Sequence, residues 1–580
     1  MCRRLRRVRR PFSLRWLIFA SEHAVSSVEQ RAQEASNRHL LNQPFCALTM
    51  SGVYSRPASI QQDADKRKTV AGAPLWTIGA AVVLGLSLRL CYLVIRYHAH
   101  DAGTKRPHIE SAALLLAIFG LGFRFATDTL DRSDRVATSR VSPAMWLVMV
   151  CGAMALYWPA LFIGYLSDDF VLVQHAAAWH VGPVAAQLFR PVPLFMWSVL
   201  LNLGGGAGTL HTLNVLLHAT NAFLTACLVD AWVRGRSWSL AAGFMVLVSP
   251  LAPEAVAWCA GVFDLSATAL ILAAVLTARR YTDHTTIATR ILFVTMSLAA
   301  LLSKETAVVG PVLVLIDSLA LRRSLPRHLV ADLLVVGGTV AVLAGMRLTS
   351  HPGLIAAPIT RYRFQRVLFD SFGNLAAPWH ADYLRTFPIA RLLNGLSVIC
   401  IVTGFFVTNG PRWRTITALA GALWVLVSVL PLLPMFYVSP QLEGARYLYL
   451  AAFGWAAILM TASADLGSRR LWATVVVRSV VTLMIAIAVS GVRSHITPWV
   501  RAAAVRDTVV RAASVDSQLR ACEVAFVRDL PQAVDGAYLF SNGTREALAG
   551  AGVNALTRDV SGPCSFRWDA MSSKFVPVSP

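Results

Sequence analysis

Apolar stretches of 13 to 23 residues recur along this chain, separated by polar turns, and they limit its fold more than any other feature. A helix needs about 20 mostly apolar residues to cross the hydrocarbon core of a bilayer. Such stretches lie at 75–95, 111–126, 145–165, 210–232, 238–250, 257–278, 290–303, 306–321, 329–347, 392–408, 415–433, 447–463 and 471–492. Inside lipid every backbone polar group must be satisfied within the chain, which leaves helices as the solution for runs of this kind. The expected fold is therefore an all-α polytopic membrane protein, a bundle of about 11 to 13 transmembrane helices. Composition agrees: 56% of the residues are hydrophobic and only 14% are charged, against about 25% charged in soluble domains.

Charge sets the orientation. The formal net charge is +22, but the basic residues fall between apolar stretches, where they orient a membrane protein, so nucleic acid is not an expected partner. One set of short loops carries Arg234 and Arg236, Arg279 with Arg280 and Arg290, Arg322 with Arg323 and Arg327, Arg412 with Arg414, and Arg469 with Arg470. The alternate loops are poor in basic residues and hold Asp168, Asp169, Glu254, Glu305 and Glu443. Cytoplasmic loops are the ones enriched in Lys and Arg, so the acidic loops face outward. This divides the chain into a basic cytoplasmic tail (1–70), two leading membrane helices (71–140), a main transmembrane domain (141–492) and a polar outside tail (493–580). The first outer loop, from Ser167 to about Gly208, carries apolar patches suited to helices lying at the interface. The expected location is a bacterial inner (plasma) membrane, with the site facing the periplasm.

Nine cysteines show no CxxC pair and no metal-ligand spacing. Cys522 and Cys564 differ from the rest in lying in the polar tail. In an oxidising compartment they are expected to form a disulfide.

Six segments could carry chemistry. GYLSDDF, Gly164 to Phe170, sets Asp168 beside Asp169 where a helix leaves the membrane. Paired carboxylates repel, so one can hold its proton more tightly and serve as a general base; the plain alternative is a solvated helix end. Arg190 follows in FRPVPLF and can bind a phosphate bidentately or simply anchor to lipid. In HTLNVLLHATNAFL, His211, Asn214, His218 and Asn221 share one helix face, which suits hydrogen bonding between helices at least as well as catalysis. SPLAPEAVAWCAGVFD supplies Glu254 and Asp264; intramembrane carboxylates are costly and usually face a bundle interior or water. LLSKETAVVGP places Lys304 and Glu305 in a short outer turn. LEGARYLYL places Arg446 and Tyr447 at a helix mouth.

In this order the six segments resemble the GT-C-fold glycosyltransferases, and within them the membrane part of protein O-mannosyltransferases that also bear tetratricopeptide repeats. Those proteins typically read RPL, HLxNxLLH, HPxHxEAVAW, LLSK and ERYLYLP, and the likeness covers roughly residues 160–465. It implies a GT-C-like bundle, a polyprenyl-phosphate sugar as donor, and a carboxylate of the first outer loop as base, a place that Asp168 and Asp169 match. Here HPxHxEAVAW becomes SPLAPEAVAW and ERYLYLP becomes GARYLYLA.

The resulting expectation is an inverting glycosyltransferase. Asp168 or Asp169 deprotonates an acceptor hydroxyl on a protein, glycan or lipid. Arg190, Lys304 and Arg446 bind the donor phosphate, and His211, Asn214, Glu254, Asp264, Glu305 and Tyr447 orient sugar and acceptor. Membrane lipids are the surrounding partners. No cofactor is required, although the carboxylates leave room for a divalent metal. The competing reading is a transporter or flippase for a lipid-linked or anionic solute, which would place its binding charges near the bilayer midplane in paired repeats; this chain gathers them at one face and has no visible repeat.

Overall fold

The computed structural model describes residues 142–578 apart from 183–188, 234, 282–284, 322–324, 351–360, 408–411, 434–435, 468–470 and 558–563. The basic tail and the two leading spans lie outside the described residues.

The membrane part is a helical bundle, but its count of spans corrects the sequence reading. Among the described residues five helices are long and apolar enough to cross a bilayer: Ala144–Phe162, Ala207–Val233, Cys259–Ala278, Arg414–Leu432 and Ala473–Val515. Among the described residues the number is five, not 11 to 13. Several apolar stretches fold into helices too short for the full crossing. The stretches at 238–250, 290–303, 306–321 and 447–463 become Arg236–Leu247, Ile287–Leu301, Gly310–Ala320 and Ala451–Gly467. At 1.5 Å per residue, helices of 11 to 17 residues reach only about 17–25 Å of a core about 30 Å thick. Hydropathy registers an apolar stretch whether it traverses lipid or is packed against other helices.

Burial separates the spans. In Cys259–Ala278, 78% of the apolar window is buried inside the protein, against 28% in Ala144–Phe162. The first is a central helix and the second forms an edge, where Leu147 and Phe162 are exposed as lipid-facing side chains would be. Ala207–Val233 turns His211, Asn214, His218, Asn221 and Thr225 inward, all of them buried. Their three- or four-residue spacing puts them on one face. Two other helices, Arg412–Val429 and Ala451–Gly467, meet at paired glycines. A Cβ on Gly454 would lie 2.6 Å from the Gly421 carbonyl oxygen, and one on Gly421 would lie 2.9 Å from that of Gly454. Only glycines permit this approach. It seats the Trp424 and Phe453 rings 4.2 Å apart at their centroids.

The last helix, Leu471–Val515, has 45 residues, about 68 Å at the standard rise and more than twice the hydrocarbon thickness. The division at 492/493 drawn from composition falls inside it. Beyond it the tail is not helical throughout. Four strands, β1 (Ala525–Arg528), β4 (Ala555–Leu556), β5 (Ser565–Asp569) and β6 (Lys574–Pro577), form one sheet in the order β4-β1-β5-β6, with only the β5–β6 pair antiparallel. A hairpin pairs β2 (Ala533–Val534) with β3 (Ala537–Tyr538). Its turn is Asp535-Gly536, both at positive φ, as a tight two-residue hairpin turn requires. Cys522 and Cys564 are joined in a disulfide, which ties the chain just before β1 to the chain just before β5. The all-α expectation thus holds for the bundle and not for the tail.

Candidate active site

The site is assembled where the first outer loop, the segment around Trp258 and the tail meet. In the first loop the two adjacent aspartates divide sharply. Asp169 is fully buried; its Oδ2 accepts from the Leu166 N–H at 3.0 Å and its Oδ1 from the Ala260 N–H at 2.8 Å. It pins the loop to the start of the central helix. Burial pushes its carboxyl well above the usual range, against the pull of those two backbone donors. Asp168 is only half-buried and accepts a hydrogen bond from Asn542 Nδ2 at 2.6 Å. Both oxygens of Asp169 are engaged by backbone. Asp168 is therefore the more accessible carboxylate of the pair.

Trp258 links this loop to the cations. Its indole N–H donates to the Leu166 carbonyl at 3.2 Å, and the Arg446 guanidinium lies 4.6 Å from its ring centroid. The backbone turns at Trp258 between two short helical pieces, Pro253–Ala257 and Cys259–Gly261. Gly261 allows the turn to close, because a Cβ there would sit 1.9 Å from the Ala255 carbonyl oxygen.

All three cations pair with carboxylates. Arg190 donates from Nε and Nη2 to the two oxygens of Glu305, at 3.1 and 2.7 Å. Buried Lys304 pairs with Asp264, in the first turn of the central helix. Burial drives the Lys304 ammonium below its ordinary range, while Asp264 counters that shift. Glu254 accepts from the Arg446 backbone N–H at 2.9 Å through Oε2. Its Oε1 lies 3.4 Å from Arg446 Nη1, yet neither of these two buried atoms has a hydrogen-bond partner among the described residues. Burial raises the Glu254 carboxyl above its usual range, with Arg446 pulling the other way. For Arg446, burial opposes its charge, but Glu254, Tyr538 and Asp264 more than restore it. Rings of Tyr447 and Tyr538, each 5.3 Å from the guanidinium, complete its surroundings, and Lys304 Nζ lies 5.8 Å from the Tyr447 centroid.

His211 and Asn214 sit behind these loops. His211 Nε2 is 3.0 Å from the Gly164 carbonyl oxygen. Asn214 donates to the Trp258 carbonyl at 2.8 Å and that of Cys259 at 3.2 Å. Both are fully buried, so they hold backbone rather than line an open surface. His218 and Asn221 reach the Tyr449 hydroxyl at 2.6 and 3.3 Å and brace the ARYLYL segment from within. Among the described residues no group of three or more His, Cys, Asp or Glu is placed to hold a metal ion.

Four residues that the sequence did not single out support the site. Trp258 stands inside a quoted motif, next to its carboxylates. Arg506, on the long last helix, donates to the carbonyls of Ile163 and Tyr165 at 2.7 and 2.8 Å. Tyr538 and Asn542 come from the tail. None of the last three lies in a stretch whose spacing or composition points to the first loop.

Comparison with known proteins adds a partial likeness. No protein-family model matches the chain. Protein O-mannosyl-transferase Tmtc1 of Drosophila melanogaster is 38% identical over 119 residues, which is 20% of this chain and 14% of that protein. The chain therefore matches about one seventh of that relative's length. It is a multi-pass membrane protein with a distant, partial similarity to a protein O-mannosyl-transferase. Its polytopic helical bundle agrees with the GT-C class at the level of general architecture.

Proposed function

We propose that the protein is an inverting glycosyltransferase that moves a sugar from a polyprenyl-phosphate carrier to an acceptor hydroxyl on the non-cytoplasmic face of the membrane. The observation that carries this reading is the largely buried Arg446–Glu254 pair, with the Arg446 side chain 16% exposed, set against three aromatic rings and with a guanidinium donor that makes no hydrogen bond among the described residues. A buried donor without a partner is costly, and Arg is well shaped to give that donor to a phosphate oxygen. The partial similarity to a protein O-mannosyl-transferase makes mannose the first sugar to test. The acidic outer loops, by the charge rule, orient the site away from the cytoplasm.

In the proposed reaction the Asp168 carboxylate takes the proton of the acceptor hydroxyl. The hydroxyl oxygen then bonds to the anomeric carbon as the bond from that carbon to the carrier phosphate breaks. The phosphate goes from a singly charged diester to a monoester with a second ionisable oxygen. Its negative charge grows as it leaves, and Arg446, Lys304 and Arg190 stabilise that growth. Attack in line with the leaving oxygen inverts the anomeric centre. Asp169 keeps the loop in place and takes no proton.

The test is transfer in detergent, where no membrane separates two compartments. Purified protein is given radiolabelled polyprenyl-phosphate mannose and a pool of serine- and threonine-containing peptides, with the same donor carrying other hexoses in parallel. Glycans and glycolipids of cells with and without the gene are profiled by mass spectrometry. Label appearing on an acceptor, and a glycan lost with the gene, is the expected result. Label crossing proteoliposomes without bond transfer, and an unchanged glycan profile, would make the protein a transporter.

A further inference from the structure

We propose that Asn542 is a positioning residue for Asp168, which makes the C-terminal domain part of the active site; this rests on the reading of Asp168 as the base. The tail meets the first loop through a closely fitted seam. Asn542 Nδ2 donates to Asp168 Oδ1 at 2.6 Å. One residue back, the Ser541 and Ser167 hydroxyls are 2.7 Å apart, and the Ser167 N–H donates to the Leu539 carbonyl at 2.8 Å. One residue on, Gly543 stands at positive φ, and a Cβ there would fall 2.5 Å from the Ser167 carbonyl oxygen. That position admits only glycine. The same segment begins at Tyr538, whose ring lies against Arg446. The tail segment Tyr538 to Asn542 thus touches Arg446 at one end and Asp168 at the other.

This contact has a chemical use. A carboxylate that takes a proton in the transition state must present one oxygen to the acceptor at a fixed angle, and small displacements of a reacting group are costly in rate. Asp168 makes no capping hydrogen bond to its own helix. The Asn542 amide engages Oδ1 and orients the plane of the group, leaving Oδ2 to meet the acceptor hydroxyl. A neutral amide does this without adding a cation that would weaken the base. The disulfide between Cys522 and Cys564 and the sheet built on β1 and β5 give the segment a rigid mount.

A double-mutant cycle tests the proposal, with the full-length protein and radiolabelled polyprenyl-phosphate mannose, which keeps slow residual transfer measurable. Asn542→Ala should lower kcat about tenfold, the size of one hydrogen bond to a charged group, with the donor KM and the thermal midpoint unchanged. In an Asp168→Asn background, where there is no base to orient, the same substitution should produce no further loss. An equal fold loss in both backgrounds, or none in the wild type, would overturn the positioning role and leave the base assignment standing. Full activity of Asp168→Asn alone would instead remove the base, and the proposal with it.

Discussion

The central helix has charged groups at each end, and the ion pairs around the two ends are built differently. Asp264 lies in its first turn and Arg279 directly follows its last residue, about 22 Å apart along the axis. At the Arg279 end the pairing is saturated. Arg279 donates from Nε and Nη2 to both oxygens of Asp317, at 2.9 and 2.6 Å, and also to the Leu228 carbonyl, while Trp232 donates to Asp317 Oδ1 at 2.8 Å. Its neighbour repeats the design: Arg290 and the Tyr281 hydroxyl together engage Asp332. At the Asp264 end Lys304 pairs with Asp264, and near it Arg446 and Glu254 face each other at 3.4 Å through atoms that make no hydrogen bond among the described residues. A saturated pair holds helices together. A pair with hydrogen-bonding capacity in hand can also hold an anion. The sequence suggested that the inner arginines merely orient the chain, but Arg279 and Arg290 also have carboxylate partners from other helices.

Four substitutions would break or sharpen this contrast. The largest effect belongs to Asp168→Asn, which should reduce turnover by about 10²–10⁴-fold while the donor still binds; retention of full transfer would reduce the half-buried carboxylate to a helix end. Next is the saturated end. Arg279→Ala leaves Asp317 buried without its cation, at a cost of about 3–5 kcal/mol in stability, visible as a lower thermal midpoint in detergent. Turnover per folded molecule should stay the same, and a loss of turnover at unchanged stability would erase the distinction between the two ends.

At the other end Arg446→Lys keeps the charge and removes the planar fork. Donor KM should rise about 10- to 100-fold, the value of one charge-assisted hydrogen bond, with a smaller change in stability than Arg279→Ala brings. An unchanged KM would mean that this guanidinium does not meet the phosphate. The smallest expected effect is that of Asp169→Asn. It turns an amide N–H₂ toward one of two backbone donors and should cost about 1–3 kcal/mol in stability, with turnover reduced less than in Asp168→Asn. If folded Asp169→Asn is the slower enzyme, the roles of the two aspartates must be exchanged.

The candidate site was legible as a set of residues and not as an arrangement. Spacing put His211, Asn214, His218 and Asn221 on one helix face, where they indeed lie, because helical periodicity is a local property. The two tail cysteines pair as expected, since both lie in the polar segment that follows the bundle. The Asp535-Gly536 turn also carries its own local signal. Which of two adjacent aspartates is buried was not legible. It depends on the Ala260 N–H, 91 residues away, and on Asn542, 374 residues away.

The sequence by itself determined that this chain belongs in a membrane, that its helices pack with polar faces inward, and where its carboxylates and cations lie along the chain. These follow from hydropathy, charge and period, which each segment carries independently. Only the tertiary structure decided which apolar stretches reach across the bilayer, which ions pair to saturation, and that a sheet-bearing tail closes over the first loop. Helix length, burial and partner choice depend on what lies opposite in space, and here the opposing groups come from segments far apart in the chain.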